Sequence, residues 1–285
     1  MIVMYQNNKV LISRHSKSFY WASFFLSQKI FLQFSTVYNF CRTLDDIADN
    51  NHPTHIKKKK FKEFKNFFYK DKSTYIVNDF KKLIQEYDIK QKIISDLFDG
   101  IESDLKKKVI FTKKKDLYLY SYRVAGTVGL IISKILKIKD KNVFKGAIKL
   151  GIAMQLTNIA RDVMEDSKNN RFYISKSFNS IKKTIHIAEN LYDESFWAIK
   201  HIPLRQRFAI LVARKIYRQI GYEILKRKNM KNYIVSGKIY VSNMMKLYLT
   251  IKSIIDLMKL FFIKPHDLSF AENKLFKFIN LHERI

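Results

Sequence analysis

Residues 37–49 read VYNFCRTLDDIAD, and residues 151–166 read GIAMQLTNIARDVMED. Both stretches place aspartates four residues apart among apolar neighbours. At about 100° per residue on a helix, Tyr38, Arg42, Asp45 and Asp49 fall on one face. Gln155, Asn158, Asp162 and Asp166 share a second face, flanked by Ile152, Met154, Leu156, Ile159 and Val163. Like charges at i,i+4 destabilise a helix unless a cation compensates them. Amides and carboxylates in apolar surroundings are costly unless they are paired or bind a metal.

The chain has 25 acids among 285 residues, so two Asp-x-x-x-Asp pairs, each beside an arginine (Arg42, Arg161), stand out. Carboxylate and amide oxygens, with no histidine cage and a single cysteine, select a hard cation. Mg²⁺ is the expected ion and Mn²⁺ the alternative, with water and substrate phosphates completing the coordination. Two such helices facing a cavity would neutralise a departing diphosphate. Zinc is disfavoured by ligand type, and a carboxylate acid–base dyad leaves the arginines unexplained.

Outward from these stretches the pattern stays helical. Segments 34–48, 117–136, 143–165, 181–199, 205–226 and 241–262 repeat apolar residues at three- and four-residue spacing. The spacing predicts one all-α domain over 1–285 with roughly eight or more helices. Loops are expected at 50–60, with its Asn-Asn, Pro53 and lysine run, and at 167–180, with smaller breaks at Pro203 and near Pro265. Only 7 glycines and 3 prolines argue against many-stranded and Gly-rich nucleotide folds.

One cysteine, Cys41, excludes an intrachain disulfide and a cysteine zinc site. No stretch reaches the ~18 apolar residues of a membrane span, and the first residues do not read as a signal peptide. A cytoplasmic location is therefore expected. The net charge of +29 is spread along the chain as lysines, which reads first as a solvated surface. Its second reading is peripheral docking on the anionic inner face of a membrane. Nucleic-acid binding is the alternative from another class, but it gives no reason for two acidic stripes.

Two further segments carry information. YSYRVAGTVGL, residues 120–130, sets Gly126 and Gly129 in an apolar helical run, where each costs about 1 kcal/mol against alanine. Close helix packing, or a bend that makes room for an apolar ligand, would explain them. HSKSFY, residues 15–20, offers Ser16 or Ser18 as a helix cap, or hydroxyls and Lys17 for an anion.

In this order, SKSFYWASFFL (16–26), YNFCRTLDDIADN (38–50), YSYRVAGTVG (120–129) and LGIAMQLTNIARDVMEDSKNNRFYIS (150–175) resemble the squalene/phytoene synthase family. Residues 216–249 are similar to its C-terminal helices. The likeness is strongest over 10–250, and VAGTVGL and QLTNIARDV look most like its bacterial phytoene synthases. The resemblance implies an isoprenoid-synthase helical bundle around a central active-site cavity. It implies that Asp45, Asp49, Asp162 and Asp166, assisted by Asn158, bind Mg²⁺ with prenyl diphosphate substrates. Ser16, Lys17, Ser18, Arg42, Arg161, Arg171, Tyr173 and Tyr233 would form the diphosphate neighbourhood. Phe19, Tyr38, Tyr120, Val124, Val128 and Gln155 would line the cavity, with Tyr120 also a catalytic candidate.

The implied reaction is head-to-head condensation of two geranylgeranyl diphosphates to phytoene through a cyclopropylcarbinyl diphosphate, a prenyl transfer in carotenoid biosynthesis. Squalene or dehydrosqualene from farnesyl diphosphate is the alternative, and NADPH is expected only for squalene. The proton acceptor is open between a tyrosine and released diphosphate. One departure lies at 170–175, where NRFYIS stands for the family's Gly-Arg-x-Tyr-Leu-Pro. Asn170 can adopt the left-handed backbone that glycine supplies; Ser175 removes a rigid stop.

Overall fold

In this computed structural model, residues 12, 13, 16–70, 74–263, 276, 279, 280, 283 and 284 are described. His15 and Pro265 lie outside them. Ser16 starts α1 (Lys17–Ser23) by accepting a hydrogen bond from the Phe19 amide, 3.3 Å. Ser27 caps α2 (Gln28–Asp49) in the same way through the Ile30 amide. That capping pattern satisfies amides that a helix start otherwise leaves open. α2 buries Phe31, Val37, Phe40, Leu44 and Ala48 along one stripe.

Phe40 is the anchor for the next three helices. Its ring stacks on Phe80 at 3.9 Å between centroids and meets Phe64 and Phe98 at 5.5 and 5.9 Å. These rings come from α3 (Thr54–Tyr69), α4 (Tyr75–Glu86) and α5 (Gln91–Ser103). The loop expected over 50–60 shrinks to 50–53. Pro53 presets the helix entry, and Lys57 to Lys60 continue into α3, because lysine is a good helix former and Phe61, Phe64 and Phe68 give that helix a buried stripe.

The single helix expected over 117–136 is three pieces on one axis: α6 (Lys114–Ser121), a π-helical turn (Tyr122–Gly126) and α7 (Thr127–Ile135). Next, α8 (Lys141–Arg161) runs through the middle of the molecule. It packs against the π turn, α7, α10 (Phe178–Ser195) and α11 (Leu204–Leu225). The helix expected over 143–165 breaks at Asp162, whose backbone leaves helical values (φ −106°, ψ 15°), and α9 (Val163–Lys168) resumes beyond it. The loop expected over 167–180 shrinks to 169–177 and contains β2 (Arg171–Phe172), which runs parallel to β1 (Val109–Ile110) in the one short sheet among the described residues. Asn170 enters β2 at φ +56°, the left-handed conformation its position calls for. A 3₁₀ turn (Trp197–His201), α12 (Met230–Val235) and α13 (Asn243–Phe262) complete the described chain. Among the described residues no helix is long and apolar enough to cross a membrane.

The glycines mark where α7 and α8 touch backbone to backbone. A Cβ on Gly129 would stand 2.5 Å from the Ala147 carbonyl oxygen, and one on Gly151 would stand 2.4 Å from that of Ala125. Close packing thus accounts for Gly129, and Gly126 sits inside the π turn. Beside this crossing, α1, α2, α7, α8 and α11 enclose a cavity of about 340 Å³. We expect Gly151→Ala to destabilise the fold by about 1–3 kcal/mol, as overpacking does. Urea denaturation reads this directly, and a wild-type midpoint would contradict the contact.

Candidate active site

Both acid-bearing helices deliver their carboxylates at the wrong end. Asp45 and Asp49 occupy the last turns of α2, and Asp162 and Asp166 flank the end of α8. A helix C-terminus carries partial negative charge and favours cations. Asp45, Asp49 and Asp162 add to those dipoles, so α2 and α8 each present a negative end, and Asp166 joins them from the first turn of α9. The acids also feel one another across the gap. Burial first, then the charge of Asp49, pushes the Asp45 carboxyl up to about 7. Burial first, then Asp162, with Asp104 and Asp49 contributing, pushes Asp166 up to about 8.

Basic groups bind the two motifs together. Arg171 Nη1 donates to Asp49 Oδ1 at 2.6 Å and Nη2 donates to the Ala48 carbonyl at 2.9 Å. Lys57 Nζ donates to the same carbonyl at 3.0 Å. Arg171, buried beyond the second motif, therefore closes the C-terminus of α2. Arg161 holds Asp162 with two hydrogen bonds, 2.8 and 2.6 Å. Arg42 pairs with Asp46, not with Asp45 or Asp49. Lys238 lies 3.9 Å from Asp162 and donates to Glu165 at 2.6 Å. Lys17 is exposed, with its ammonium 5.6 Å from the Tyr240 ring. Ser18 is half-buried on α1. Arg161 and Lys238 flank Asp162, and Lys17 stands against Tyr240.

A fifth acid, absent from the sequence reading, sits in the same field. Asp104 accepts from Tyr173 Oη at 2.6 Å and from Tyr120 Oη at 2.7 Å. The two tyrosine rings stack 4.6 Å apart, with Phe111 against both. Burial dominates and pushes Asp104 above the ordinary carboxylate range, with Arg171 opposing it. Tyr120 therefore stands apart from the cavity wall, because its hydroxyl is committed to Asp104. Tyr233 is likewise not turned to a phosphate position: its hydroxyl donates to the Ala160 and Arg161 carbonyls, 3.0 and 2.6 Å. Those bonds satisfy the end of α8 and fix the turn that carries Asp162.

Directly below the acids lies the cavity. Phe19, Tyr38, Val124, Val128 and Gln155 line it as expected, together with Asn158 and Tyr217. Its serines turn away: Ser35 donates to the Phe31 carbonyl, Ser133 to Gly129 and Ser195 to Tyr192. The wall is thus apolar in effect, with polar side chains gathered at the acid end. There Tyr217 is met by the side chains of Ser16 and Asn158, and burial raises its hydroxyl pKa. Asn158 Nδ2 lies 3.5 Å from Gln155 Oε1, and Asn158 Oδ1 is buried without a hydrogen-bond partner. Among the described residues, no three His, Cys, Asp or Glu side chains form a ready-made metal cage.

Sequence reasoning missed Asp104, Tyr217 and Lys238. Asp104 follows α5 in a charged stretch, IESDLKKK, that reads as surface. Tyr217 sits in an ordinary amphipathic helix. Only the fold brings either of them to the acids.

The family description of squalene/phytoene synthases matches residues 12–181. The chain is similar to a chloroplastic phytoene synthase from Daucus carota, 27% identical over 73% of this chain and 60% of that one. It is also similar to a 15-cis-phytoene synthase from Pantoea ananas, 28% identical over 51% of this chain and 53% of that one. The matched stretches thus span less than two thirds of these curated relatives. A solved dehydrosqualene synthase in complex with ligand is 26% identical, covers 90% of this chain and 97% of its own, and superposes with a TM-score of 0.76. The all-α arrangement is therefore the isoprenoid-synthase helical fold, and this chain belongs to the squalene/phytoene synthase family.

Proposed function

We propose that the chain joins two geranylgeranyl diphosphates head to head to give phytoene. The observation that carries this reading is an apolar cavity whose wall residues Tyr38 and Tyr217 feel the charges of Asp45 and Asp162, with Asn158 meeting Tyr217 at that end. The curated phytoene synthases to which the chain is similar support it.

The residues present fit a hard divalent cation. Asn158 offers a buried, unpartnered carbonyl oxygen, and Asp45 and Asp166 are held up first by burial and then by neighbouring carboxylates, whose repulsion a cation would relieve. Asp45, Asp49, Asn158, Asp162 and Asp166 would hold Mg²⁺, each ion by one or two side chains with phosphate and water completing the set. Bound there, Mg²⁺ supplies neutralisation of the departing diphosphate.

The chain's own residues do the rest. Arg161, Lys17 and Lys238 border the place where diphosphate charge develops. The apolar wall excludes water that would quench an allylic cation. Phe19 and Tyr38 offer aromatic faces to positive charge. In the first stage one C–O bond breaks and diphosphate leaves with its electron pair. The second chain's double bond then attacks the cationic carbon, and loss of one proton closes the cyclopropane. In the second stage the remaining diphosphate leaves and a second proton is lost. Tyr120 and Tyr173 both donate to Asp104 and have hydroxyl pKa values pushed well up by burial, so neither is a free base. We assign the proton to released diphosphate and a positioning role to the tyrosines.

A second reading, dehydrosqualene from farnesyl diphosphate, is favoured by the likeness to the solved dehydrosqualene synthase. Purified protein given either substrate with Mg²⁺, with and without NADPH, separates them by mass spectrometry of the extracted hydrocarbon. Phytoene without NADPH is expected. Dehydrosqualene would install the second reading, and no Mg²⁺-dependent product from either substrate would overturn both. Asp45→Asn or Asp162→Asn should lower turnover by about 10²–10³-fold, the scale of losing one charge-stabilising group. Wild-type turnover in both would contradict the assignment.

A pH dependence follows from the same carboxylates. Asp45 and Asp166 titrate in the folded metal-free protein at about 7 and about 8, above the ~3.9 of an unfolded aspartate. The folded state therefore binds protons more tightly. Their contribution to stability is complete below about pH 4 and is lost as pH rises through 7 to 8. We expect the metal-free protein to melt lower at about pH 8.5 than at pH 6, with the gap narrowed by Mg²⁺ and by Asp45→Asn. A gap unmoved by either would contradict this electrostatic account.

A further inference from the structure

Helix α13 is built inside out. The face it turns to the protein carries Lys246, Ser253 and Asp256 beside Leu249 and Leu260. Asp256 takes an ion pair from Lys215 at 2.6 Å, and Ser253 folds back onto the Leu249 carbonyl at 2.8 Å. The opposite face is apolar and exposed along its length: Met244, Leu247, Ile251, Ile254, Met258 and Phe262, spaced by three and four residues. Met244 is 78% and Phe262 85% exposed. At about 1.5 Å per residue this stripe runs about 27 Å. Soluble monomers rarely leave so continuous an apolar patch bare. No described residue covers it. The described tail residues pack elsewhere, Arg284 on Asp96 of α5 and Phe276 near Lys145 and Lys149 of α8.

Charge selects the occupant. Exposed Lys252 and Lys259 line one margin of the stripe, and the Lys252 ammonium lies 4.8 Å from the Tyr248 ring. Lys200 and Arg207 cluster at its C-terminal end, Lys200 donating to the Ile263 carbonyl at 3.0 Å and Arg207 set 6.0 Å from the Phe261 ring. A second copy of a chain with a net charge of +29 would bring like charge to like. An anionic lipid surface would meet the lysines with opposite charge and the stripe with acyl chains. We propose that α13 lies flat on an anionic membrane, its apolar face sunk into the headgroup–acyl boundary and its lysines among the phosphates.

The placement has a consequence that rests on the prenyl-transfer reading. The inner side of α13, through Leu257 and Leu260, packs in one cluster with Ile199, Ile202 and Ile210, which line the cavity. Docking on this helix sets the cavity wall next to the lipid that would receive a hydrocarbon product.

The test needs no substrate, so its failure leaves the prenyl-transfer reading standing. The purified full chain is floated with vesicles of phosphatidylglycerol and phosphatidylcholine, and with phosphatidylcholine alone. We expect flotation with the anionic vesicles, weakened by salt, and a bound fraction about tenfold lower for the double substitution Ile251→Glu, Met258→Glu. A polarity-sensitive fluorophore on Met258→Cys checks orientation without adding charge to the stripe. Its emission should shift to the blue on anionic vesicles, while the same label on Lys60→Cys of α3 stays unshifted. Equal shifts at the two positions, or no flotation, would overturn the proposal. So would sedimentation showing self-association that the double substitution abolishes in a chain that ignores vesicles. Protection of the Met258→Cys label from quencher in vesicle-free monomer would do the same, by showing that residues 264–275 cover the stripe.

Discussion

Everything in this molecule is arranged around carboxylates that repel each other. Asp45 and Asp49 end one helix, Asp162 and Asp166 flank the end of another, and Asp104 joins them from a third. Asp45 and Asp49 sit at the negative end of the α2 dipole and Asp162 at that of α8, while Asp166 follows in the first turn of α9. Left alone, such a cluster would push the helices apart or titrate. Arg171 prevents the first by bonding Asp49 and the Ala48 carbonyl from the far side of the site. Burial first, and neighbouring carboxylates second, still hold Asp45 and Asp166 above the ordinary carboxylate range despite nearby arginines. On the prenyl-transfer reading proposed above, divalent cations would supply the positive charge that this cluster lacks.

The strain has to be carried by something stiff. Backbone contact at Gly129 and Gly151 locks α7 and the π turn to α8, and the Phe40 cluster locks α2 to α3, α4 and α5. Tyr233 clamps the break at Asp162. Between those rigid seams the cavity stays open, with serines turned into their own helices and polar groups confined to one end. An ionising headgroup and an apolar chain would thus meet opposite environments within one substrate length.

The acid pairs and their order were legible because spacing on a single helix decides them. So was the left-handed Asn170, which a local backbone argument reaches, while Phe19, Tyr38, Val124, Val128 and Gln155 of the cavity wall came from the family resemblance. Three features were not legible for a shared reason. Asp104, Tyr217 and the partners of Tyr120 and Tyr233 depend on which helices meet, and no local pattern encodes that. The lysines after Pro53 looked like a loop because charge masked the Phe61, Phe64, Phe68 stripe. The break at Asp162 was hidden because hydrophobic spacing continues across it while the backbone does not. α13 shows the reverse case: its amphipathic pattern was plain from sequence, but which side faces the protein was not.

The most direct measurement is a crystal structure of the protein with Mg²⁺ and an unreactive thio-analogue of a prenyl diphosphate. The account predicts ions at about 2.0–2.1 Å from carboxylate oxygens of both acidic helices. It places the Asn158 amide oxygen in or beside that shell, the diphosphate bridging the ions, and the chain in the cavity below. A diphosphate held only by Arg161, Lys17 and Lys238, with no ion touching Asp45, Asp49, Asp162 or Asp166, would contradict it.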